Sequence, residues 1–326
     1  MGATFKLSNN RLSLIIPALI IAVLYLYKTS VAQTKFANHD ATIRSMAFDQ
    51  RGRLWIGSFG RGLWVADEKK ITRFFDEKTQ QPYPMINNLL FDGHYLWVAT
   101  AGGGCIRINT ELDQIEPVKQ HDGFGKLHAL TVTSSTTVLI GSVGSGTAYF
   151  KDDSWLPVSQ IQPVNLAWVN SIVEWQHRLW LGTSTGLYST GISVHEWKPQ
   201  YAQLNRGINH LAVDNDRLLI ATTRNGLYEL LPGKDPTKVT EIDGMIHFIL
   251  PSASQTLVIG DKSVWQLVNG VVCKLTDPVA NAKCAAFDAK NRFFIGTTDG
   301  KIYISDSGTN FTLKYLFSDK GLEENK

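Results

Sequence analysis

One phrase recurs seven times between Trp55 and Thr297: an apolar run, a small residue, usually a hydroxyl, then a turn and a second apolar run. Its cores are Trp55-Ile-Gly-Ser58, Trp97-Val-Ala-Thr100, Leu139-Ile-Gly-Ser142, Trp180-Leu-Gly-Thr183, Leu219-Ile-Ala-Thr222, Val258-Ile-Gly-Asp261 and Phe294-Ile-Gly-Thr297. Counted between the small residues, the spacings are 42, 42, 41, 39, 39 and 36 residues. A period of about 40 that carries short strands and no helices predicts an all-β fold, a seven-bladed β-propeller of four-stranded antiparallel blades.

In the first unit, Ile43 to Phe48, Leu54 to Ser58, Leu63 to Ala66 and Ile71 to Phe75 read as strands A to D. The A–B turns carry Asp49, Asp92-Gly93, Asp214-Asn215-Asp216 and Asp288, short side chains that cap tight turns. Their acids are too few and wrongly spaced for a calcium loop. The B–C turns are rich in glycine, as in Gly60-Arg61-Gly62 and Gly144-Ser145-Gly146. Each leads from one strand into another, so it reads as a hairpin and not as a phosphate cradle, which a helix N-terminus must complete. Trp55, Trp97, Trp180 and Phe294 recur at one place in strand B, which assigns them to packing between blades.

The repeats divide the chain into residues 1–32, a lead-in of 33–42, the propeller over 43–317 and a polar tail of 318–326. Lys6 and Arg11 precede an apolar run, predicted to be an N-terminal hydrophobic helix, from Leu12 to Tyr27; Ser30-Val31-Ala32 then offers a small-x-small cleavage site. That segment reads as an export signal, either a cleaved signal peptide or a retained anchor that crosses the membrane through residues 12–27. It also accounts for the whole formal charge of +3, because Lys6, Arg11 and Lys28 face no acid there. The remainder is neutral and lacks the basic footprint of a nucleic-acid binder. Cys105, Cys273 and Cys284 have no metal or redox spacing. The first would be alone, and the other two lie on strands too far apart to bridge, so all three are expected as packed thiols. No metal and no cofactor is expected.

The phrase Ile43-x-x-Met-x-Phe-Asp-x-x-Gly-x-Leu-Trp-Ile-Gly-Ser58, followed by Gly60-x-Gly-Leu63, resembles the two-component-regulator propeller repeat. That resemblance spans roughly 270 residues, is strongest in units 1, 2, 4 and 5, and is weakest in unit 6. It implies the periplasmic sensor propellers of hybrid histidine kinases, here without a kinase or output domain after Lys326. A looser similarity around Gly-x-Leu-Trp points to the seven-bladed streptogramin lyases.

The second residue of strand A is polar in every unit: Arg44, Asn87, His128, Asn170, Asn209, His247 and Lys283. In a propeller strand A lines the central channel, so these residues should ring its mouth. Such a ring can bind a small polar or anionic ligand, or it can simply satisfy backbone groups and water. His210, beside Asn209, is expected to point away. Long D–A loops carrying Tyr83, Phe124, Trp168 and Tyr201 would cluster on one side of the same face, as a partner surface or as local packing.

Three functions follow as expectations. The first is an exported, membrane-tethered module for protein interaction or assembly, an accessory subunit of a cell-envelope complex. The second is a periplasmic ligand-sensing or solute-binding propeller. The third is a lyase-like enzyme using His128 or His247; neither has a visible carboxylate partner, so no catalytic residue is assigned.

Overall fold

Each of the seven repeats folds into one antiparallel sheet in the computed structural model, which describes residues 40–74, 85–120, 122, 124–158, 168–192, 197–275, 279–318 and 320–325. Within a blade the strands follow chain order from strand A outward. The seven A strands are Ile43–Phe48, Ile86–Phe91, Leu127–Val132, Val169–Trp175, Ile208–Asp214, Ile246–Pro251 and Ala282–Phe287. Each touches the next, and the last touches the first, which makes the ring. The N-terminal helix and the export segment lie outside the described residues. Among the described residues no helix is long and apolar enough to cross a membrane.

Strand B explains the repeated phrase. In blades 1, 3 and 7 it is buried at every residue, because a neighbouring blade covers each of its faces. Trp55, Trp97, Trp180 and Phe294 are at most 5 % exposed. Trp55 Nε1 donates to Asp49 Oδ2 at 2.8 Å and Trp97 Nε1 to Asp92 Oδ2 at 2.7 Å, so the A–B turn acids also anchor the indoles. The small residue is required by the next blade. A Cβ on Gly182 would lie 2.7 Å from Ile208 Cγ2, and one on Gly296 2.6 Å from Ile43 Cγ2. The hydroxyl that follows closes the B–C turn: Thr222 Oγ1 accepts from Asn225 N at 2.8 Å and donates to Gly226 O at 2.7 Å.

The sequence alignment of unit 6 is one residue out. In the other blades the first residue of strand A pairs with the hydroxyl residue, as Ile208 does with Thr222, whereas Ile246 pairs with Gly260. Gly260 therefore stands in the place of the hydroxyl and Ile259 in the place of the small residue. The bulk is offset across the interface, since the next blade begins with Ala282 where the others begin with Ile, Leu or Val. Asp261 consequently lies one residue beyond strand B, with its side chain exposed.

Ring closure uses blade contacts. Thr42 Oγ1 donates to Thr298 O at 3.1 Å, and a shared core joins Ile43, Ile56 and Trp64 of blade 1 to Phe294, Ile302 and Tyr315 of blade 7. The expected polar tail is corrected, because Gly321–Glu324 pairs with Thr312–Ser318 as a fifth strand of blade 7. Its Leu322 is 5 % exposed, and Gly321 sits so close to the Trp64 indole that a Cβ would approach Cη2 to 2.6 Å. Cys105 and Cys284 are buried, with burial pushing the Cys284 pKa up to about 12. Cys273 departs from expectation and is exposed, since the outermost strand has no further strand beyond it.

Candidate functional site

A β-bulge aims the second residue of every A strand. The A–B register shifts between the first and third residues in each blade, for example between Ile43 and Ser45 and between Ile246 and Phe248. The residue between them is left out of the ladder and its side chain is re-aimed. All seven sequence-derived positions, Arg44, Asn87, His128, Asn170, Asn209, His247 and Lys283, line one cavity of about 420 Å³. The bulge also brings in third-position residues that the sequence reading left out, Ser45, Asn88 and Phe248. His210 joins the lining as well, against the expectation that it points away.

The three asparagines are spent on holding blades together. Asn87 Nδ2 donates to Leu127 O at 2.7 Å, Asn170 Nδ2 to Ile208 O at 2.9 Å and Asn209 Nδ2 to Ile246 O at 2.8 Å. Each reaches the first carbonyl of the following A strand. A second tier runs from the third position to the fourth amide of the next blade. Ser45 and Ser171 hydroxyls accept from Leu89 N and Leu211 N at 3.0 Å, and His210 Nδ1 accepts from Ile249 N at 3.3 Å. Burial lowers the His210 pKa to about 4, so it is a neutral acceptor at Nδ1.

Blades 6, 7 and 1 break this pattern. Lys283 Nζ lies 3.1 Å from His247 Nδ1. An ammonium can only donate, so His247 accepts there and carries its own proton on Nε2. Burial, then the Lys283 charge, lowers the His247 pKa to about 4. The imidazole is thus neutral at pH 7, and Asp261 Oδ1, 3.9 Å from Nε2, is not an ion-pair partner. Lys283 is itself depressed by burial and by Arg44. Arg44 stacks on the Phe59 ring at 4.8 Å, and its buried Nε has no hydrogen-bond partner. Among the described residues neither cation forms an ion pair. The arc can therefore offer an anion two positive charges and the Nε2–H of a neutral histidine.

The opposite side is aromatic. Trp168 immediately precedes strand A of blade 4; its carbonyl accepts from Ser184 N at 3.0 Å while its side chain stays 50 % exposed. His128 meets it at 5.4 Å between ring centroids, edge to face. Burial and Arg44 lower the His128 pKa, leaving that imidazole neutral as well. Of the other aromatic candidates, Phe124 is 4 % exposed in the core between blades 2 and 3, and Tyr201 packs on the blade 4–5 core. Tyr83 lies outside the described residues. The expected four-residue aromatic surface is thus corrected to Trp168 among the described residues, because Phe124 and Tyr201 fold back over their own blades.

Among the described residues no three His, Cys, Asp or Glu side chains gather to hold a metal. A second cavity, of about 320 Å³, lies at the A–B turns of blades 5 and 6. There Asp214 is already paired with Arg217 at 2.7 Å and bonded to Thr256 at 3.1 Å.

Residues 39–60, a range that includes strands A and B of blade 1, match the model for the two component regulator propeller. The chain carries this propeller repeat. No curated protein matches the sequence. Among solved structures, virginiamycin B lyase from Staphylococcus aureus is similar at TM-score 0.67 and 14% identity, over 81% of this chain and 94% of that one. The extracellular domain of a one component system from B. thetaiotaomicron is similar at TM-score 0.67 and 18% identity, over 86% of this chain but 40% of that one. The WD40 propeller domain of Doa1 is similar at TM-score 0.64 and 16% identity, over 82% and 93%. At these identities the likeness shows the fold, which the regulator repeat shares with a lyase, a sensor and a WD40 domain.

Proposed function

We propose that this propeller is an extracytoplasmic ligand-binding module of the sensor type, taking a small anion at the channel mouth between blades 6, 7 and 1. The observation that carries this reading is the pair Arg44 and Lys283, both facing one cavity and, among the described residues, without an ion-pair partner. Two part-buried like charges on one cavity disfavour each other, as the lowering of the Lys283 pKa by Arg44 reflects, and a ligand that supplies negative charge would relieve this. The regulator repeat and the extracellular neighbour support the location, with residues 12–27 as export signal or tether.

Thermal shift and calorimetry with phosphate, sulfate, butyrate and citrate against neutral sugars test it. Anions should stabilise the protein and sugars should not, and the effect should vanish in an Arg44→Gln, Lys283→Gln double variant. Stabilisation by no anion overturns the reading.

A second reading, docking of an envelope protein partner onto the same face, is favoured by the exposed side chains of Met85, Trp168 and Met245, each placed immediately before an A strand. Co-purification of a defined partner lost in a Trp168→Ala, Met245→Ser variant would support it. A lyase activity gains nothing from the geometry: His247 meets Lys283 and His128 meets Trp168, with no carboxylate within hydrogen-bond distance of either among the described residues.

A further inference from the structure

The channel mouth has two unlike halves, and together they define a ligand class. Building on the anion reading above, we propose that the site takes an aromatic carboxylate, with its carboxylate against Arg44, Lys283 and His247 and its ring against Trp168.

In a seven-membered ring, blade 7 faces the junction of blades 3 and 4. Lys283 belongs to strand A of blade 7, His128 to strand A of blade 3, and Trp168 sits at the start of blade 4. The cationic arc and the aromatic pair therefore look at each other across one cavity, whose lining includes both. Its volume of about 420 Å³ falls within the roughly 300–1,000 Å³ typical of sites for small organic molecules. An inorganic anion would fill only the charged side.

Trp168 is built for contact. Its backbone is fixed by the hydrogen bond from Ser184 N and by a bridge to Val143, so the indole is presented from a rigid position. The edge-to-face contact with His128 orients the ring, which lines the cavity while half of the residue's surface stays exposed. An exposed indole inside a concavity gains by stacking a second flat ring, and that gain is largest when water leaves both faces. With His128 neutral, the aromatic half has no charge to attract an anion, so the ligand's charge and its ring are sorted to opposite sides.

Between the halves, Asn87, Asn170 and Asn209 each commit one amide N–H to a backbone carbonyl, which fixes the amide planes. The two ends of the cavity then differ in kind, with positive charge on one side and an exposed indole on the other. A flat ring joined to a carboxylate matches both.

The test uses the whole chain and three probes: 2-naphthoate, butyrate and 2-naphthylmethanol, which carry both features, the charge alone and the ring alone. Calorimetry at pH 7 should show 2-naphthoate binding at least about tenfold tighter than either, since stacking on an aromatic side chain contributes roughly 1–3 kcal/mol and tenfold corresponds to about 1.4 kcal/mol. Trp168→Ala should bring 2-naphthoate down to the level of butyrate while leaving butyrate unchanged. Trp168→Phe should retain most of the preference, and Lys283→Gln should weaken both acids. Because Trp168 is half exposed, its replacement leaves the core intact, and unchanged butyrate binding confirms this. Equal binding of the two acids, or a preference that survives Trp168→Ala, overturns the aromatic assignment and leaves the anion site standing. Binding of neither acid overturns the aromatic assignment, and failure of phosphate, sulfate and citrate as well overturns the anion site.

Discussion

Asn209 and Lys283 stand at the same bulged position, two blades apart, and do opposite things. Asn209 reaches forward and donates to the first carbonyl of the next blade. Lys283 turns sideways to His247, and the equivalent carbonyl, of Ile43, is left to the thiol of Cys284 at 3.5 Å. Where the repeat keeps asparagine, the position serves the ring. At Lys283, a latch has been given up and a charge faces the channel.

The largest expected effect lies in the packing that both regions share. Ile259→Gly should cost about 3–4 kcal/mol in urea unfolding, because it opens a cavity against the small Ala282. Adding Ala282→Ile should recover most of the loss by restoring the Gly–Ile pairing of the other blades. Additive losses in the double variant would break the idea that the two blades have exchanged bulk.

Next comes acidification of the latched region. The unfolded chain protonates His210 near its ordinary value of 6.5, but the folded chain does so only near 4. The unfolded state therefore binds more protons between those values. Stability contributed by neutral His210 is full above pH 6.5 and falls as pH drops to 4, by roughly 3 kcal/mol. A series of urea melts should show this slope on top of the similar one from His247, and His210→Gln should remove the His210 share while the His247 share remains.

The latch itself is a smaller effect. Asn209→Ala should lower stability by about 1 kcal/mol, the net value of one hydrogen bond plus some cost for the unpaired carbonyl. The smallest effect carries the opposite sign. Lys283→Asn should raise stability by less than about 1 kcal/mol, by removing a buried charge and installing the missing latch to Ile43 O. It should also weaken anion binding. If it destabilises instead, Lys283 is part of the ring's support and the contrast with Asn209 fails.

Much of this was legible in the sequence, for identifiable reasons. The spacing of the small residues set the blade count, and their need to be small follows from contacts such as Gly182 with Ile208. Aligned strand starts located all seven channel positions. The bulge that aims them left no sequence mark, so His210 was placed on the wrong side. Unit 6 was misaligned because Gly260 imitates the small residue while Ile259 takes its place. Phe124 and Trp168 look alike as loop aromatics, and only tertiary packing buries one and exposes the other. The fifth strand, Gly321–Glu324, is too short and too polar to announce itself.

That short strand gives the molecule a direction in time. Adjacent blades are joined over spans such as the 37 residues from Asn209 to Ile246, but closure joins Thr42 to Thr298 across 256. Bringing together ends that far apart costs about 1–2 kcal/mol more in chain entropy. During synthesis the first blade must wait for Leu322 before the last strand can settle on Trp64. The ring is in this sense a split washer, closed only when Gly321–Glu324 is in place. Arg44 and Lys283 stand on either side of the split, so an anion shared between them would clasp the oldest blade to the youngest.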